Sequence, residues 1–334
     1  MVFQKRVVDE VSGWLRVFED GSVDRSWTGP PEAKFMAEPV PPHDEFIDGV
    51  ATRDVVIDKE AGSRVRIYLP ERRPAEEKLP ILLHFHGGGF CITQADCFMY
   101  YTIYTKLARL APAICVSVYL KLAPEHRLPA AIDDAYSALL WLQDVARGEK
   151  GEPWLEAQGD FSRIFLIGDS SGGNLVHEVA ARAGKADIGP SKLAGAIPIH
   201  PGFMRSQRSR SELEQPQSPF LTLDMLDKFI GLSLPIGANK DHPITCPMGP
   251  AAPPLAKLNL PPYLLCLADR DLIIDTEMEY YEAMKKADKE VELFISHGMT
   301  HSFYLNKIAV DMDPNTSAET DRLFSGIIDF IHKH

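Results

Sequence analysis

Apolar and polar positions along this chain follow two different patterns, and the change between them divides the sequence. Near the N-terminus, WLRVF and SVDRSW alternate apolar and polar residues on either side of Asp20-Gly21. A period of two indicates half-buried strands, and the glycine supplies the turn because it accepts a positive φ. We therefore predict a β-hairpin across residues 14–27, followed by an irregular Pro-rich stretch over residues 30–42.

The pattern then changes to continuous apolar runs. TRDVVID (52–58) and RVRIYLP (64–70) are two further predicted strands, and beyond them short apolar runs alternate with amphipathic helical stretches. Continuous apolar strands separated by helices indicate a mainly parallel sheet with helices on both faces, whereas the earlier strands suit an antiparallel edge. The predicted strands are residues 81–85, 113–118, 164–168, 193–200, 263–268 and 291–296, and the predicted helices lie near 97–110, near 129–147 and from Asn174 onward.

The alternation of strands and helices stops between Pro201 and Pro262. This stretch contains a predicted helix near 223–233 and a Pro-rich run, PMGPAAPPLAKLNLPP. It is too long for a plain loop, so we interpret it as an insertion that forms a helical cap. We expect a single α/β domain over residues 1–334, with the cap contributed by roughly 1–50 and 201–250.

Composition and charge narrow the class of partner. The 334-residue chain is 45% hydrophobic and 25% charged, and its formal net charge of -12 argues against nucleic acid or an anionic membrane as a partner. No apolar run approaches the roughly 20 residues of a membrane helix, and the N-terminus lacks the apolar segment of a secretory signal. We expect a cytoplasmic protein, and the net charge gives no sharp information about a small neutral substrate. These features do not indicate its oligomeric state.

The cysteine pattern indicates neither disulfides nor a metal site. The chain has five cysteines, an odd number, with no CxxC pair, and Cys115 and Cys266 lie inside apolar runs. Reduced thiols in a reducing compartment are the simplest interpretation. The histidines and cysteines also lack ligand spacing, so we predict no metal and no cofactor.

The strongest chemical signal is Gly168-Asp169-Ser170-Ser171-Gly172, between the apolar run IFLI and the helical segment NLVHEVAARAG. In this context the string predicts a nucleophile elbow, in which a serine stands on a tight strand-to-helix turn. The helix N-terminus below it favours developing negative charge. Only Ser170 has a glycine two positions away on both sides, so it is the candidate nucleophile. The alternative is a Gly/Ser-rich turn without chemistry.

A second signal, His86-Gly87-Gly88-Gly89, follows the predicted strand at 81–85. Three glycines after a buried strand allow backbone N–H groups to point into a cavity and bind an oxyanion. The alternatives are a plain glycine turn and a phosphate cradle of the dinucleotide type, and the second is weak because no GxGxxG opens the following helix. The candidate oxyanion donors are the amides of Gly88, Gly89 and Ser171, and we interpret His86 as a structural brace.

A serine nucleophile needs a base at neutral pH, and the base needs a carboxylate that fixes its tautomer. In this architecture the acid follows the serine, on a loop after a strand. The loop after residues 263–268 offers Asp269, Asp271 and Asp275. We prefer Asp271, because Asp269 is too close to the strand end and Asp275 suits the cap of a helix that begins near Thr276.

The base is expected on the next loop, after residues 291–296. This loop contains His297 and His301. We prefer His301, because it lies deeper in the loop and nearer the next helix. Surface or core packing is the ordinary interpretation of the other histidines.

Several motifs resemble one family. HGGGF (86–90), LAPEHRLPAA (122–131), GDSSGGN (168–174), the D-x-x-x-D at 271–275, H-x-F (301–303) and the N-terminal GWLRVFEDGSVDR resemble the plant carboxylesterases, in the hormone-sensitive-lipase-like branch of the α/β hydrolases. The resemblance covers nearly the whole chain. It implies the α/β-hydrolase fold, a catalytic triad of Ser170, His301 and Asp271, and an oxyanion hole of Gly88, Gly89 and Ser171.

We therefore predict a carboxylic-ester hydrolase that acts on a small, largely apolar ester through an acyl-enzyme. Phe90 and the stretches 91–105 and 201–235 are candidate pocket walls, although these side chains equally suit packing of the cap. The resembled scaffold also includes gibberellin receptors, which lack the catalytic histidine, and isoflavonoid dehydratases and alkaloid cyclases. A hormone receptor and a lyase or cyclase are therefore the alternatives.

Overall fold

The computed structural model describes residues 5–71 and 77–334. The strands of these residues are β1 (Val7–Val11), β2 (Leu15–Phe18), β3 (Val23–Asp24), β4 (His43–Ile47), β5 (Val50–Asp58), β6 (Ser63–Pro70), β7 (Leu79–Phe85), β8 (Ile114–Val118), β9 (Gly159–Asp169), β10 (Leu193–Ile199), β11 (Tyr263–Ala268) and β12 (Val291–Ser296). The α-helices are α1 (Phe98–Leu110), α2 (Ala130–Ala146), α3 (Pro153–Gln158), α4 (Ser171–Ala183), α5 (Arg210–Glu214), α6 (Leu223–Ser233), α7 (Ile274–Lys286), α8 (Lys307–Met312) and α9 (Pro314–Lys333).

The central sheet has the order β12-β11-β10-β9-β7-β8-β6-β5-β4. Strands β7 to β12 pair in parallel, whereas β4, β5 and β6 join one edge by antiparallel pairing. The predicted mainly parallel sheet with an antiparallel edge is therefore confirmed. Parallel strands place their carboxyl ends at the same edge of the sheet, where ligand sites of open α/β sheets form. The loops after β7, β9, β10, β11 and β12 consequently meet there.

Helices bury both faces of this sheet. Along β7, Ile81 and Leu83 belong to a core cluster with residues of α2 and α4, and Leu82 between them belongs to another cluster with residues of α1 and α9. Successive side chains of a strand point to opposite faces, so the two clusters lie on the two sides of the sheet. Within the described residues, no helix combines the length and the apolar character needed to cross a membrane.

The N-terminal strands form a second, three-stranded sheet that packs against α6. The predicted hairpin is confirmed, since β2 and β3 pair antiparallel and Gly21 has a φ of 79°. Val11 and Leu15 are buried together with Met225 and Phe229 of α6. These contacts join the two segments that the sequence assigns to a cap. The cap boundaries and the single-domain organisation stay predictions.

Several elements depart from the predicted pattern, and three of them show why. Strands β1 and β4 were not predicted, because both are short edge strands with many exposed residues and no apolar periodicity. Helix α4 begins at Ser171 and not at Asn174. Two glycines at its start gave no helical signal, since glycine has a low helix propensity.

Candidate active site

Ser170 lies on the sharp turn between β9 and α4. Its φ of 50° and ψ of -122° are unfavourable for a residue with a side chain, so the surrounding structure has to hold them. The Ser170 amide donates to the Ile199 carbonyl at 2.9 Å. The helix also packs closely on β7, because a Cβ at Gly172 would lie 2.0 Å from the Phe85 carbonyl oxygen. The strand–turn–helix context that the sequence predicted is therefore present.

The structure brings Ser170, His301 and Asp271 together. His301 Nε2 lies 2.9 Å from Ser170 Oγ, and His301 Nδ1 lies 2.6 Å from Asp271 Oδ2. Asp271 also accepts the Ile273 amide at 3.1 Å, and both Asp271 and His301 are buried. A carboxylate at Nδ1 fixes the ring proton there and leaves the Nε2 lone pair facing the serine hydroxyl. This arrangement can take a proton from Ser170.

The other candidates on the same loops make different contacts. His297 Nδ1 lies 3.1 Å from Asp269 Oδ2 in an exposed pair. Asp275 accepts the Ser211 amide at 2.8 Å and lies in the first turn of α7, which begins at Ile274. The expectation that Asp275 caps a helix beginning near Thr276 is wrong, because the residue before this helix is Ile273, which offers no capping side chain.

The loop after β7 carries the predicted oxyanion donors. Gly88 and Gly89 have φ values of 96° and 59°, in the left-handed region that glycine enters without steric cost. Among the described residues, the amides of Gly88 and Gly89 donate to no protein acceptor, and the Ser171 amide is free because it begins α4. Ser170 and Gly89 both line two adjacent pockets, of which Gly88 lines the first and Ser171 lines the second. The amides of Gly88, Gly89 and Ser171 can therefore receive negative charge beside the serine.

Asp169 and Tyr100 support this loop, and sequence reasoning missed both. The Gly87 amide lies 2.9 Å from Tyr100 Oη and 3.2 Å from Asp169 Oδ1, and the Tyr100 hydroxyl donates to Asp169 Oδ2 at 3.1 Å. Burial raises the pKa of Tyr100 well above its ordinary value, so its hydroxyl remains a donor. The position of Asp169 directly before the nucleophile was the available signal.

His86 makes the contacts expected of a brace. Its Nδ1 lies 2.9 Å from the Gly87 carbonyl oxygen and 3.2 Å from Thr93 Oγ1. Burial lowers the pKa of His86 to about 4, so the ring is neutral at neutral pH. Among the described residues, no hydrogen bond joins His86 to Ser170.

His200, at the carboxyl end of β10, is a further buried group that sequence reasoning missed. One ring nitrogen of His200, one carboxylate oxygen of Asp271 and one ring nitrogen of His301 lie within 4.8 Å of one another. Among the described residues these are the atoms best placed to hold a metal ion. However, His301 already uses both ring nitrogens for Ser170 and Asp271, and His200 Nδ1 accepts the Ser302 amide at 2.9 Å. These nitrogen atoms already take part in hydrogen bonds, which favours a hydrogen-bonded site over a metal site.

The cavity beside Ser170 has two small lobes, of about 40 Å³ and 30 Å³. Phe229 of α6 packs directly on Gly89, where a Cβ would lie 2.1 Å from the phenyl ring. Ligand pockets commonly measure about 300–1,000 Å³, so both lobes are much smaller than an ordinary ligand site. The first lobe is lined by residues that include Trp14, Ile92, Met99, Phe220, Met225 and Leu305, and the second by residues that include Phe90, Met204, Leu226, Ile230 and Ile273.

A larger surface groove, of about 760 Å³, lies elsewhere on the molecule. It is lined by residues that include Asp48, Tyr101, Lys106 and Arg109, and none of the candidate triad or oxyanion residues lines it. Volume alone therefore does not locate the chemistry of this protein. The cavity beside Ser170 is the candidate active site.

Comparisons with known proteins agree with this architecture. Residues 82–305 match the family model described as the alpha/beta hydrolase fold. The chain is 35% identical over 303 residues to "Probable carboxylesterase 6" of Arabidopsis thaliana, covering 90% of this chain and 85% of that protein. It is 35% identical over 286 residues to the gibberellin receptor GID1C of Arabidopsis thaliana, covering 82% and 80%. It is 34% identical over 310 residues to the 2-hydroxyisoflavanone dehydratase of Glycyrrhiza echinata, covering 90% and 91%. The chain therefore belongs to the α/β-hydrolase-fold family.

Proposed function

We propose that this protein is a serine carboxylesterase that cleaves a small, largely apolar ester through an acyl-enzyme. The observation that carries the proposal is the hydrogen-bonded chain from Ser170 through His301 to Asp271, beside backbone amides that have no protein acceptor among the described residues. The similarity to a protein named as a probable carboxylesterase supports it. Each group that acyl transfer requires has a candidate in this site.

The first half of the reaction forms the acyl-enzyme. His301 Nε2 takes the hydroxyl proton of Ser170 while Oγ attacks the carbonyl carbon of the ester. The amides of Gly88, Gly89 and Ser171 stabilise the resulting oxyanion, and the Asp271 carboxylate stabilises the imidazolium. The tetrahedral intermediate collapses when His301 gives its proton to the alcohol oxygen, and the alcohol leaves.

The second half releases the acid. His301 takes a proton from water, and the hydroxide attacks the acyl carbon of the Ser170 ester. The same amides hold the second oxyanion. His301 then returns its proton to Ser170 Oγ, so the carboxylic acid leaves and the free enzyme is restored. The sequence of steps needs no cofactor.

The lining of the cavity favours a neutral, apolar ester. Aromatic and aliphatic side chains dominate both lobes, and no lysine or arginine lines either lobe in the part of the chain that the structure describes. An anionic substrate would therefore lose its hydration without gaining a cationic partner. Phe90, predicted as a pocket wall, borders the second lobe beside Ser171 and Asn174.

A panel of p-nitrophenyl esters, assayed with wild-type protein and Ser170→Ala side by side, tests the proposal. We expect turnover of the acetate and butyrate esters by the wild type and its loss in Ser170→Ala. Ser171→Ala keeps the backbone amide but removes the hydroxyl that accepts the Phe90 amide at 3.2 Å, so it should retain turnover well above that of Ser170→Ala. Equal turnover by Ser170→Ala and wild type would contradict the proposal.

A lyase is the second candidate, because the chain is similar along 90% of its length to a protein named as a dehydratase. His301 would then remove a proton from a carbon acid, and Ser170 would form no acyl-enzyme. A folded wild-type protein that turns over no ester in the panel would favour this candidate. The hydrogen-bonded Ser170–His301–Asp271 chain favours either enzyme over a receptor.

A further inference from the structure

His200 occupies a strained, buried position directly beside the candidate active site. Its φ of 45° lies in the left-handed region, which costs a non-glycine residue free energy that the surrounding structure has to offset. Its amide donates to the Cys266 carbonyl at 2.8 Å, and its side chain is fully buried. The ring packs beside His301, with ring centroids 5.8 Å apart.

The hydrogen bonds of His200 determine its tautomer. The Ser302 backbone amide donates to Nδ1 at 2.9 Å, so Nδ1 carries no proton and the ring proton is on Nε2. Burial lowers the pKa of His200 to about 4, and the ring is therefore neutral at neutral pH. Nε2 is buried and has no hydrogen-bond partner among the described residues.

The surroundings of the ring contain a negative charge and few other polar groups. The charged and titratable groups that act on it are Asp271, His301 and Asp169. Tyr304 and Phe303 pack against the ring from the segment after His301. Burial keeps the Tyr304 hydroxyl neutral by raising its pKa well above the ordinary value.

We propose that His200 is a positioning residue for the His301–Asp271 pair. Through Nδ1 it holds the Ser302 amide, and so fixes the loop at the residue that follows His301. The polar ring of His200 also lies within the field of the Asp271 carboxylate. This inference rests on the proposed esterase function and adds a residue that does not touch the substrate.

The hydrogen bond from the Ser302 amide to His200 restrains the position of His301. Ser302 itself has a φ of 50°, so the chain makes a left-handed step directly after His301. A hydrogen bond from that step to a side chain on β10 ties the base to the central sheet, across 102 residues of sequence. Without it, the imidazole would sample positions out of line with Ser170 Oγ, and misplacement of a catalytic group by about 1 Å can cost about 100-fold in rate.

Two substitutions separate positioning from simple packing. His200→Phe keeps the ring volume and removes both nitrogen atoms, whereas His200→Asn keeps an acceptor at the level of Nδ1 and tolerates a positive φ. We expect His200→Phe to lower kcat/KM for p-nitrophenyl butyrate by roughly 10- to 100-fold, and His200→Asn to recover part of that loss. A packing role predicts the opposite order, because phenylalanine fills the buried space better than asparagine.

The pH profile supplies a second readout. Replacing the polar ring with a phenyl ring in His200→Phe places the Asp271 charge in a less polar environment, which favours the imidazolium partner. The acidic limb of the kcat/KM profile then moves to higher pH in His200→Phe. Phe303→Leu, which changes a neighbour of the same ring without removing a polar atom, should leave the limb in place.

The outcomes separate this inference from the proposed function. Wild-type kcat/KM in His200→Phe, or a lower kcat/KM in His200→Asn than in His200→Phe, would overturn the positioning role.

If the wild type neither turns over esters nor reacts with a fluorophosphonate at Ser170, the esterase proposal fails. The positioning role is then judged by the downfield NMR signal of the His301 Nδ1 proton. A sharp signal in wild type and His200→Asn that broadens in His200→Phe supports the role, and an unchanged signal in His200→Phe overturns it.

Discussion

Two Asp–His pairs lie on the same two loops of this protein, and only one of them reaches a serine. Asp271 and His301 approach to 2.6 Å, and Asp269 and His297 approach to 3.1 Å. The side chains of Asp271 and His301 are 0% and 3% exposed, whereas those of Asp269 and His297 are 40% and 71% exposed. The two pairs have nearly the same spacing in sequence but different surroundings.

The difference shows what the fold adds to a pair of side chains. An exposed ion pair is screened by water and contributes about 0–1 kcal/mol. A buried carboxylate, in contrast, acts on its partner in a medium of lower dielectric, and it keeps one orientation because packing fixes it. The buried pair also faces Ser170 Oγ, so the account assigns chemistry to Asp271–His301 and only a surface contact to Asp269–His297.

Replacing the histidines tests this contrast with the largest expected effect. His301→Ala removes the base, and we expect kcat for p-nitrophenyl butyrate to fall by as much as roughly 10⁶-fold, as for other serine hydrolases that lose a triad member. His297→Ala is the matched control and should keep wild-type kcat, because its side chain is exposed and pairs with Asp269 away from Ser170. A comparable loss in both variants would remove the distinction between the pairs.

Replacing the carboxylates should have the next largest effect. Asp271→Asn keeps the shape of the side chain but donates to His301 Nδ1, which selects the wrong tautomer, and a loss of roughly 10⁴-fold in kcat is expected. Asp269→Asn removes the same charge from the exposed pair and should leave steady-state kinetics unchanged. If Asp271→Asn retained wild-type kcat, Asp271 would not be the orienting acid.

The side chain of Phe229, which lines both lobes beside Ser170, offers a third test with a smaller expected effect. Phe229→Ala removes the ring that covers Gly89, so we expect kcat/KM for a long-chain p-nitrophenyl ester, relative to the acetate, to rise by roughly 10-fold. The same change should lower the free energy of unfolding by about 3–5 kcal/mol. Leu232→Ala, in the same cluster of α6 but outside both lobes, should destabilise without changing this preference. Equal preferences in the two variants would contradict the role of Phe229.

The fourth test concerns Glu277, on which the Asp271 charge acts, and it measures the stability of the protein. Glu277 is fully buried, and its carboxyl oxygens have no hydrogen-bond partner among the described residues. Burial, and secondarily the Asp271 charge, raises the pKa of Glu277 well above its ordinary value of 4.5. The folded state therefore holds a proton that the unfolded state releases, and stability falls as the pH rises from 4.5 towards the folded pKa.

Glu277→Gln removes this dependence because an amide does not titrate. In the pH range between the pKa of Glu277 in the unfolded state and its pKa in the folded state, the free energy of unfolding of Glu277→Gln should rise relative to that of the wild type. The difference should grow by about 1.4 kcal/mol per pH unit, and urea unfolding measures it. Glu279→Gln, on the exposed side of the same helix α7, is the control. A constant difference between wild type and Glu277→Gln at every pH would show that the buried carboxyl does not titrate as inferred.

Much of the central sheet was predictable from the sequence, because its strands are continuous apolar runs. Strands β11 and β12 and helix α6 have the bounds that were predicted. Strands β1 and β4 escaped prediction because they pair through the backbone at edges and bury few side chains. Their stability comes from neighbours that are distant in sequence, which a local pattern does not contain.

The residues of the candidate site also divide into those that a sequence pattern identified and those that it missed. Ser170 was identified from its local motif, and Asp271 and His301 from their order on loops after strands, so the sequence led directly to residues that the structure brings together. His200 and Tyr100 were missed because their contacts join segments far apart in sequence, and Ser302 lies 102 positions after His200. A histidine at the end of a predicted parallel strand was the signal for His200, since the other site residues also follow strand ends.

Trapping the acyl-enzyme tests the central claim most directly. Wild-type protein mixed with p-nitrophenyl butyrate and quenched in acid is digested, and the peptide that contains Ser170 is analysed by mass spectrometry. The account predicts one butyryl group on Ser170, whose formation is lost in His301→Ala and retained in His297→Ala. Turnover of the ester without any acyl group on Ser170, or an acyl group on a different residue, would contradict it.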